Sequence, residues 1–382
     1  MTKRKQTHQT QPPHQAQGNS AAFESANTTR AAKRQKQQNQ PKQPKQPKLP
    51  KQPKQPKQPD TRVPDIDNYQ LSIHNPVWVP ANKTYSGDLE KRLSEEILDF
   101  VNFVTPSDQE IEKRRTIVKK IDEAVRAHVP GAYVELFGSG RTTLALKDSD
   151  LDMVIFDPTP SNASGAKQLR KWMRPLGFHI SRPMVVPAKV PIMQAKAGNV
   201  SVDISLNQAA GLSSLQVTTK LMAEHPQLRP LVLVLKHFLR IRDLNSAPSS
   251  SLGSYAITLW VASFLKIHAL MMPRRYESGD VNLGTIFLDF LKTFRDGGSF
   301  DFAAMGLDAG NNEEPICDNP VGSGSSFYVQ DAAEPYKNVA AACSRPKLTL
   351  IRGHLKAAYK EILYVDRKSP KPKSLLSAIL YT

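Results

Sequence analysis

Three aspartates have the type and spacing to hold metal ions. Asp150 and Asp152 flank one leucine in a segment whose residues alternate as in a strand. Because strand side chains alternate between faces, both carboxylates would project to the same side. Asp203 lies on the polar face of a second predicted strand. Carboxylate oxygens are the ligands that Mg²⁺ prefers, but an Asp-x-Asp pair alone is more often an exposed strand edge or turn.

A small turn upstream strengthens the prediction of a phosphate site. Gly138-Ser139 directly follows the predicted strand 133–137. Such a turn lets backbone N–H groups approach a phosphate, and the serine hydroxyl can donate as well. Three carboxylates on adjacent strands beside it could hold two metal ions. One ion would activate an attacking hydroxyl and the other would carry a triphosphate, so the pattern indicates an in-line displacement at phosphorus.

Hydrophobic periodicity predicts the elements that position these residues. Alternation predicts strands at 133–137, 151–156, 190–193 and 200–206, with a hairpin turn at Gly198-Asn199. Helical spacing predicts helices on both sides of this strand region. They are expected near 89–101, from the capping box of Ser107 and Glu110 to Pro130, and at 213–224, 229–243, 253–268, 282–295 and 354–364. The predicted fold class is α+β, a small mixed sheet followed by a larger helical unit.

The N-terminal segment is basic and of low complexity. Residues 1–60 contain 13 Lys/Arg and 2 Asp/Glu, whereas the other residues contain 39 and 33. Residues 40–60 repeat Lys-Gln-Pro, which favours an extended chain and cannot bury a core, so we expect disorder. A basic balance suits a polyanion such as RNA. The cluster at 33–36 is consistent with a nuclear import signal, a nonspecific RNA contact or a tail that only solubilises.

Composition also argues against several classes of protein. No apolar run approaches the roughly 18 residues of a membrane span, and the first residues lack the apolar stretch of a signal peptide. The chain has 2 cysteines, too few for a disulfide framework or a cysteine-based zinc site. We therefore expect an intracellular, soluble protein without a membrane partner.

Taken together, the motifs carry a family resemblance. The segments Phe137-Gly-Ser, Asp150-Leu-Asp152 and Val202-Asp203 resemble the nucleotidyltransferase signature of the DNA polymerase β-like superfamily. The flanking segments 228–245, 253–256 and 282–284 are similar to the nuclear noncanonical poly(A) polymerases of the TRAMP-type RNA-surveillance branch. The resemblance covers about residues 76–365.

This resemblance implies an architecture. A polymerase β-like nucleotidyltransferase palm, a small mixed sheet with helices, would occupy residues 110–208. A mainly helical central domain, of the poly(A) polymerase-associated type, would be formed by 76–109 and 209–365. The disordered basic tail would comprise residues 1–68.

It also implies a role for each site residue. Asp150 and Asp152 would bind both metal ions, Mg²⁺ or Mn²⁺, and Asp203 would bind the ion that activates the RNA 3′-hydroxyl. ATP would be the substrate. Lys236 and Arg240 lie one helical turn apart and could reach phosphate together. The triphosphate would contact Gly138, Ser139, Lys236, Arg240 and Ser254, the base would stack on Tyr255, and Asn207 would help to position the sugar.

The function that follows is template-independent addition of adenylates to RNA 3′ ends in nuclear RNA surveillance. The nucleus, or the nucleolus within it, is the expected location. RNA, a zinc-knuckle RNA-binding subunit and an RNA helicase are the implied partners. One alternative is a terminal uridylyl- or mixed-nucleotide transferase. A different class is a catalytically silent RNA-binding scaffold, against which the three aspartates argue.

Two departures from the family pattern leave nucleotide selectivity open. Ala210 occupies a position where this branch usually has Asn before a glycine, here Gly211. We therefore expect relaxed discrimination between ribose and deoxyribose. The segment from Ile316 to Pro320 resembles the nucleotide-recognition segment of the family, and the loop after Pro320 is shorter than expected.

Overall fold

The computed structural model describes residues 76–158, 171–180, 192–208, 210–320 and 327–381. Its α-helices are α1 (Leu89–Val104), α2 (Asp108–His128), α3 (Ala210–Glu224), α4 (Leu228–Arg240), α5 (Ser254–Met271), α6 (Pro273–Glu277), α7 (Leu283–Phe294), α8 (Arg345–Asp366) and α9 (Ser377–Leu380). Its strands are β1 (Tyr133–Phe137), β2 (Leu151–Phe156), β3 (His179–Ile180), β4 (Ile192–Ala197), β5 (Val200–Leu206), β6 (Met305–Asp308), β7 (Ile316–Asp318) and β8 (Val329–Gln330). The predicted α+β class is confirmed.

The larger sheet is mixed and has the strand order β1-β2-β5-β4-β3. Strands β2 and β5 pair in parallel, and the other neighbours are antiparallel. Helix α2 packs on this sheet through its buried residues Ile117, Ile121 and Val125. The sheet and α2 share a hydrophobic core separate from that of the helical part, so the strands that carry the aspartates have a support of their own.

Local sequence signals explain where several of these elements begin and turn. Ser107 accepts a hydrogen bond from the Glu110 N–H, and the Glu110 carboxylate accepts one from the Ser107 N–H, so the predicted capping box is confirmed. The predicted turn between β4 and β5 is also confirmed. There Gly198 has φ +64°, a left-handed conformation that glycine adopts without strain. Residues 190 and 191 of the predicted strand lie outside the described residues.

The helical part is organised around α5, of which residues 256–268 are all buried. Trp260 contacts the rings of Phe290, Phe294 and Phe327, which come from α7 and from the segment before β8. Helix α5 has 18 residues and a mean hydropathy of 1.3, enough by length and composition to cross a membrane. However, 72% of it is buried inside the protein, as in the central helix of a core. The core of the helical part continues as far as Leu380, beyond the predicted boundary at residue 365.

Two predictions about the C-terminal half were wrong. The helix predicted at 354–364 starts at Arg345, because Ser344 is its N-cap residue, Pro346 lies in its first turn and its buried stripe begins at Leu348. A three-stranded sheet of β7, β6 and β8, in that order, was missed entirely. Strands of two to four residues are too short to show the period-two alternation by which a strand is recognised.

Candidate active site

The parallel register of β2 and β5 brings two of the predicted aspartates together. Asp152 pairs directly with Asp203. On its other side, Asp152 pairs with Phe137, the last residue of β1. Asp150 lies immediately before β2 and is exposed. The structure therefore places the three carboxylates around the start of β2, with Asp150 outside the strand on which it was predicted.

The electrostatics of this cluster favour a bound cation. Burial, followed by the charges of Asp203 and Asp150, raises the pKa of Asp152 to about 7. Burial and the charge of Asp150 also raise the pKa of Asp203, which accepts a 3.5 Å hydrogen bond from the Gln194 side chain. Neighbouring carboxylates repel each other when ionised, and a divalent cation between them would reverse that repulsion.

Gly138 leaves the space that the Asp152 carboxylate occupies. It starts a short 3-10 turn, Gly138–Gly140, with φ +59°. A Cβ atom at this position would lie 2.6 Å from Oδ2 of Asp152. The turn is closed by hydrogen bonds from the N–H groups of Arg141 and Thr142 to the Gly138 carbonyl. Glycine is thus required here both by the backbone conformation and by the carboxylate.

The donor set fits a metal ion whose coordination is shared with a substrate. Within the described ranges, no group of three His, Cys, Asp or Glu side chains is compact enough to hold a metal ion by itself. Mg²⁺ is usually held by one or two carboxylates, with substrate phosphates and water as the other ligands. The hard oxygens of Asp150, Asp152 and Asp203 match such a shared site, as do the pKa values of Asp152 and Asp203, which burial and neighbouring carboxylates raise.

A cleft of about 420 Å³ lies next to these carboxylates. Lys236 on α4 is 3% exposed, and its Nζ donates a 2.7 Å hydrogen bond to the carbonyl of Leu144. Burial, followed by the charge of Arg240, lowers the pKa of Lys236 to about 8. Arg240 forms a 3.0 Å ion pair with Asp148. Predicted site residues that line the cleft are Ser139, Asp150, Asp152, Lys236, Arg240 and Ser254.

A smaller and less polar cavity of about 60 Å³ adjoins the cleft. Gly138, Ser139, Lys236 and Ser254 line it, together with Tyr255. The Tyr255 hydroxyl donates a 2.9 Å hydrogen bond to Asp331, which in turn contacts Lys337. By volume the cavity has room for about four water-sized groups, the size of part of a nucleobase.

Asn207 is not brought to either cavity. Its backbone is left-handed, with φ +51°, which turns the side chain back along the sheet. The amide oxygen accepts a 2.8 Å hydrogen bond from the Asp157 N–H, and the amide nitrogen donates to the Asp157 carbonyl at 3.2 Å. Asn207 thus links the ends of β2 and β5, and the role of Asn207 in positioning the sugar stays a prediction.

The two departures from the family pattern have different outcomes. Helix α3 begins at Ala210, and a Cβ atom on Gly211 would lie 2.5 Å from the ring of Phe137. The start of α3 is thus packed against the residue before Gly138, close to the site. Residues 321–326, the loop predicted to be shortened, lie outside the described residues.

Sequence reasoning assigned no role to several residues that line the cleft. The run Ser249–Ser251 was read only as a helix break, whereas Ser249 lines the cleft and Ser250 has φ +58°. A serine-rich turn between two helices, adjacent to a predicted phosphate site, was the signal that could have found it. The unassigned residues that line the cleft are Ser149, Asp243, Asn245, Ser246 and Ser249.

Comparison with known proteins relates this site to a family. The family described as "Poly(A) RNA polymerase, mitochondrial-like, central palm domain" matches residues 93–220. "Poly(A) RNA polymerase cid14" of Schizosaccharomyces pombe is 34% identical over 248 residues, which are 63% of this chain and 35% of that protein. The chain thus spans about a third of the length of this relative.

Solved structures share the fold. The polymerase core of TRAMP, described as an RNA surveillance complex, superposes with a TM-score of 0.65 at 23% identity, covering 78% of this chain and 96% of that chain. The Cid1 poly(U) polymerase superposes with a TM-score of 0.64 at 20% identity, covering 75% and 99%. The chain therefore shares the fold of these two structures, and the predicted small mixed sheet with a mainly helical part is confirmed.

Proposed function

We propose that the chain belongs to the noncanonical poly(A) polymerase branch of the DNA polymerase β-like nucleotidyltransferases and that it adds adenylates from ATP to RNA 3′ ends without a template. The observation that carries the proposal is the pairing of Asp152 with Asp203 next to Gly138. These residues adjoin a cleft that Lys236 and Arg240 line. Carboxylates for metal ions, a small turn and cations for phosphate are the parts that nucleotidyl transfer requires.

The carboxylates would hold the metal ions. Asp150, Asp152 and Asp203 would bind Mg²⁺ or Mn²⁺, and such ions, when bound, neutralise the triphosphate and activate the attacking 3′-hydroxyl. A structure with no three-residue metal cluster among its described residues still suits this role, because the triphosphate supplies the missing ligands.

Residues around the cleft would position the triphosphate. An ammonium has three N–H donors, and the hydrogen bond from Lys236 to Leu144 occupies one of them. The others are available to phosphate oxygens, whose negative charge would raise the pKa of Lys236 from about 8. Ser139 and Ser254 line both cavities and would bind the phosphates nearest the sugar. Arg240 would exchange its ion pair with Asp148 for a phosphate contact.

The smaller cavity would accept part of the base. Tyr255 is half-buried, and its hydroxyl is held by Asp331, so the ring is fixed in orientation. A fixed aromatic ring is suited to stack on a planar base without regard to its identity. This arrangement explains base binding but does not by itself select adenine, so a uridylyl transferase is the second candidate. The fold shared with the Cid1 poly(U) polymerase supports this second candidate.

We further propose a role in nuclear RNA surveillance. The similarity to cid14 and to the TRAMP polymerase core supports it. A zinc-knuckle RNA-binding subunit and an RNA helicase would be partners, with the basic residues 1–60 as an additional contact to RNA. Location in the nucleus would follow from that role.

A tailing assay with each nucleotide separately tests the proposal. The full chain is incubated with labelled RNA, Mg²⁺ and ATP, UTP, CTP or GTP, and Asp152→Asn serves as the inactive control. We expect tails with ATP that are absent from the control. Tails with UTP instead would establish a uridylyl transferase. RNA binding without any extension would establish a silent scaffold.

A further inference from the structure

Seven residues with a hydroxyl group line this cavity, Tyr255 among them. Besides Tyr255, which donates to Asp331, four of them donate a hydrogen bond to a backbone carbonyl, whereas Ser139 and Ser254 also line the cleft. Thr218 on α3 and Thr258 on α5 are 6% and 3% exposed. Thr218 donates to the Ser214 carbonyl at 2.8 Å, and Thr258 to the Ser254 carbonyl at 3.0 Å. The hydroxyl groups of Ser214 and Thr142 are donors in the same way. Ser214 donates to the Gly211 carbonyl at 3.0 Å, and Thr142 donates to the Gly138 carbonyl at 3.3 Å.

These hydrogen bonds determine whether the hydroxyl groups of the cavity can donate to a ligand or only accept from it. A carbonyl oxygen has no proton, so in each of these pairs the hydroxyl must be the donor. Each hydroxyl oxygen then has lone pairs left and no proton to give. Leu144 and Leu215, whose side chains offer neither donors nor acceptors, also line the cavity. Its remaining donors, Ser139, Lys236 and Ser254, line the polar cleft as well, where they are proposed to bind the phosphates. The wall formed by Ser214, Thr218 and Thr258 is therefore a set of acceptors in an otherwise apolar surface.

We propose that this acceptor wall selects nucleobases that carry an exocyclic amine over bases with a carbonyl oxygen at the same ring position. The inference rests on the proposed function, because it assumes that the base enters the cavity next to Tyr255. Adenine presents the N–H donors of its 6-amino group, and cytosine those of its 4-amino group. Hypoxanthine and uracil present a carbonyl oxygen there, which faces the hydroxyl oxygens lone pair to lone pair.

A carbonyl-bearing base could be accepted only if a hydroxyl turned its proton into the cavity. That hydroxyl would then lose its hydrogen bond to the helix carbonyl, so no net bond would be gained. The amine gains a hydrogen bond without this exchange. One net hydrogen bond corresponds to a preference of roughly five- to tenfold. Because Thr218 and Thr258 are almost fully buried, bulk water cannot easily replace their hydroxyl groups, either as donor to a base carbonyl or as acceptor from a base amine.

The test compares ATP with ITP, which differ at the 6-position by an amino group against an oxygen. The preference is measured in two ways, as the ratio of kcat/KM in RNA tailing and as the ratio of Kd by calorimetry without RNA. The variants are Thr218→Val and Thr258→Val, which remove the hydroxyl and keep the shape, and Thr218→Ser and Thr258→Ser, which keep the hydroxyl. Thr219→Val is the matched control, because Thr219 bonds the Leu215 carbonyl in the same way but is exposed on the outer face of α3.

We expect the wild type and the Thr219→Val protein to prefer ATP over ITP by at least about fivefold. The valine variants should lose most of this preference, and the serine variants should keep it. CTP should likewise be bound more tightly than UTP. Equal Kd values for ATP and ITP in the wild type, or an unchanged ratio in both valine variants, would overturn the inference. If a valine variant does not fold, the ATP/ITP ratios of the serine variants and of the wild type still test the inference. Normal Kd ratios without any tailing would instead refute the proposed activity and leave the acceptor wall standing.

Discussion

Replacing Gly138 by alanine tests the geometry of the site most directly, because two separable effects are expected. The first is backbone strain. Gly138 has φ +59°, where an L-residue with a side chain is disfavoured by roughly 1–2 kcal/mol. The second is a collision, since the new Cβ would lie 2.6 Å from Oδ2 and 3.3 Å from Cγ of Asp152. Strain should lower the free energy of unfolding, and only the collision should displace a carboxylate.

The backbone around Gly138 cannot easily move to relieve this collision. Phe137 pairs with Asp152 across β1 and β2, and its ring touches Gly211 at the start of α3. The Asp152 carboxylate must therefore move by several tenths of an ångström or rotate. A displacement of about 1 Å at a reacting centre can lower activity by about 100-fold. We expect Gly138→Ala to reduce kcat for tailing by between about 10- and 100-fold.

Gly279→Ala is the matched control. Gly279 has φ +74°, and a Cβ atom there would have nothing within 4 Å, so this variant carries the strain without the collision. Urea unfolding should show a loss of roughly 1–2 kcal/mol in both variants. Tailing of labelled RNA should fall only in Gly138→Ala. Equal kcat values for the two variants would refute the argument that Gly138 sets the position of the Asp152 carboxylate.

Four further predictions follow from the site and the sequence. Asp203→Ala should abolish tailing while the circular dichroism spectrum stays native, and wild-type tailing by a folded variant would contradict the metal assignment. Because the pKa of Asp152 is raised to about 7, the folded state holds this proton more tightly than the unfolded chain, so stability without metal should fall as pH rises from about 4 to about 7. Mg²⁺ binds the ionised carboxylate and should raise Tm more at pH 8 than at pH 6, and equal shifts would speak against Asp152 as a ligand. Deletion of residues 1–60 should weaken RNA binding most at low salt and leave kcat at saturating RNA unchanged, whereas a large loss of kcat would assign the tail a part in the chemistry. Ala210→Asn should raise the ATP/dATP ratio of kcat/KM by up to about tenfold, and an unchanged ratio would show that position 210 does not read the sugar.

The elements that depend on local signals were predicted correctly from the amino-acid sequence. Strands β1 and β2 begin and end at the predicted residues, although β1 has no buried residue and four of the six residues of β2 are buried. The capping box of Ser107 and Glu110 is likewise formed within four residues of chain. Helix α8 was predicted too short, because its first turns are held by the packing of Leu348 and Ile351 and not by periodicity alone.

In the candidate site, too, some features follow from local sequence and others only from the tertiary structure. The sequence by itself predicted that Asp150 and Asp152 lie close together, since only Leu151 separates them at the start of β2. That Asp152 lies beside Asp203 was decided by the tertiary structure, through the parallel register of β2 and β5. A slip of one residue would turn Asp203 to the other face, and the register is held by burial of Leu151, Met153, Val202 and Ile204 in the core below the sheet.

Side-chain direction in loops and cavities also depended on the tertiary structure alone. Asn207 was assigned to the sugar, but its left-handed backbone turns its amide onto Asp157. Thr218 and Thr258 donate to the carbonyls four residues earlier, a hydrogen bond that is common for threonine in helices. Only the packing of α3 and α5 around one cavity brings these hydroxyl oxygens together as a wall of acceptors. Local sequence specifies which groups a segment carries, whereas long-range packing decides what those groups face, because burial is a property of contacts between segments distant in the chain.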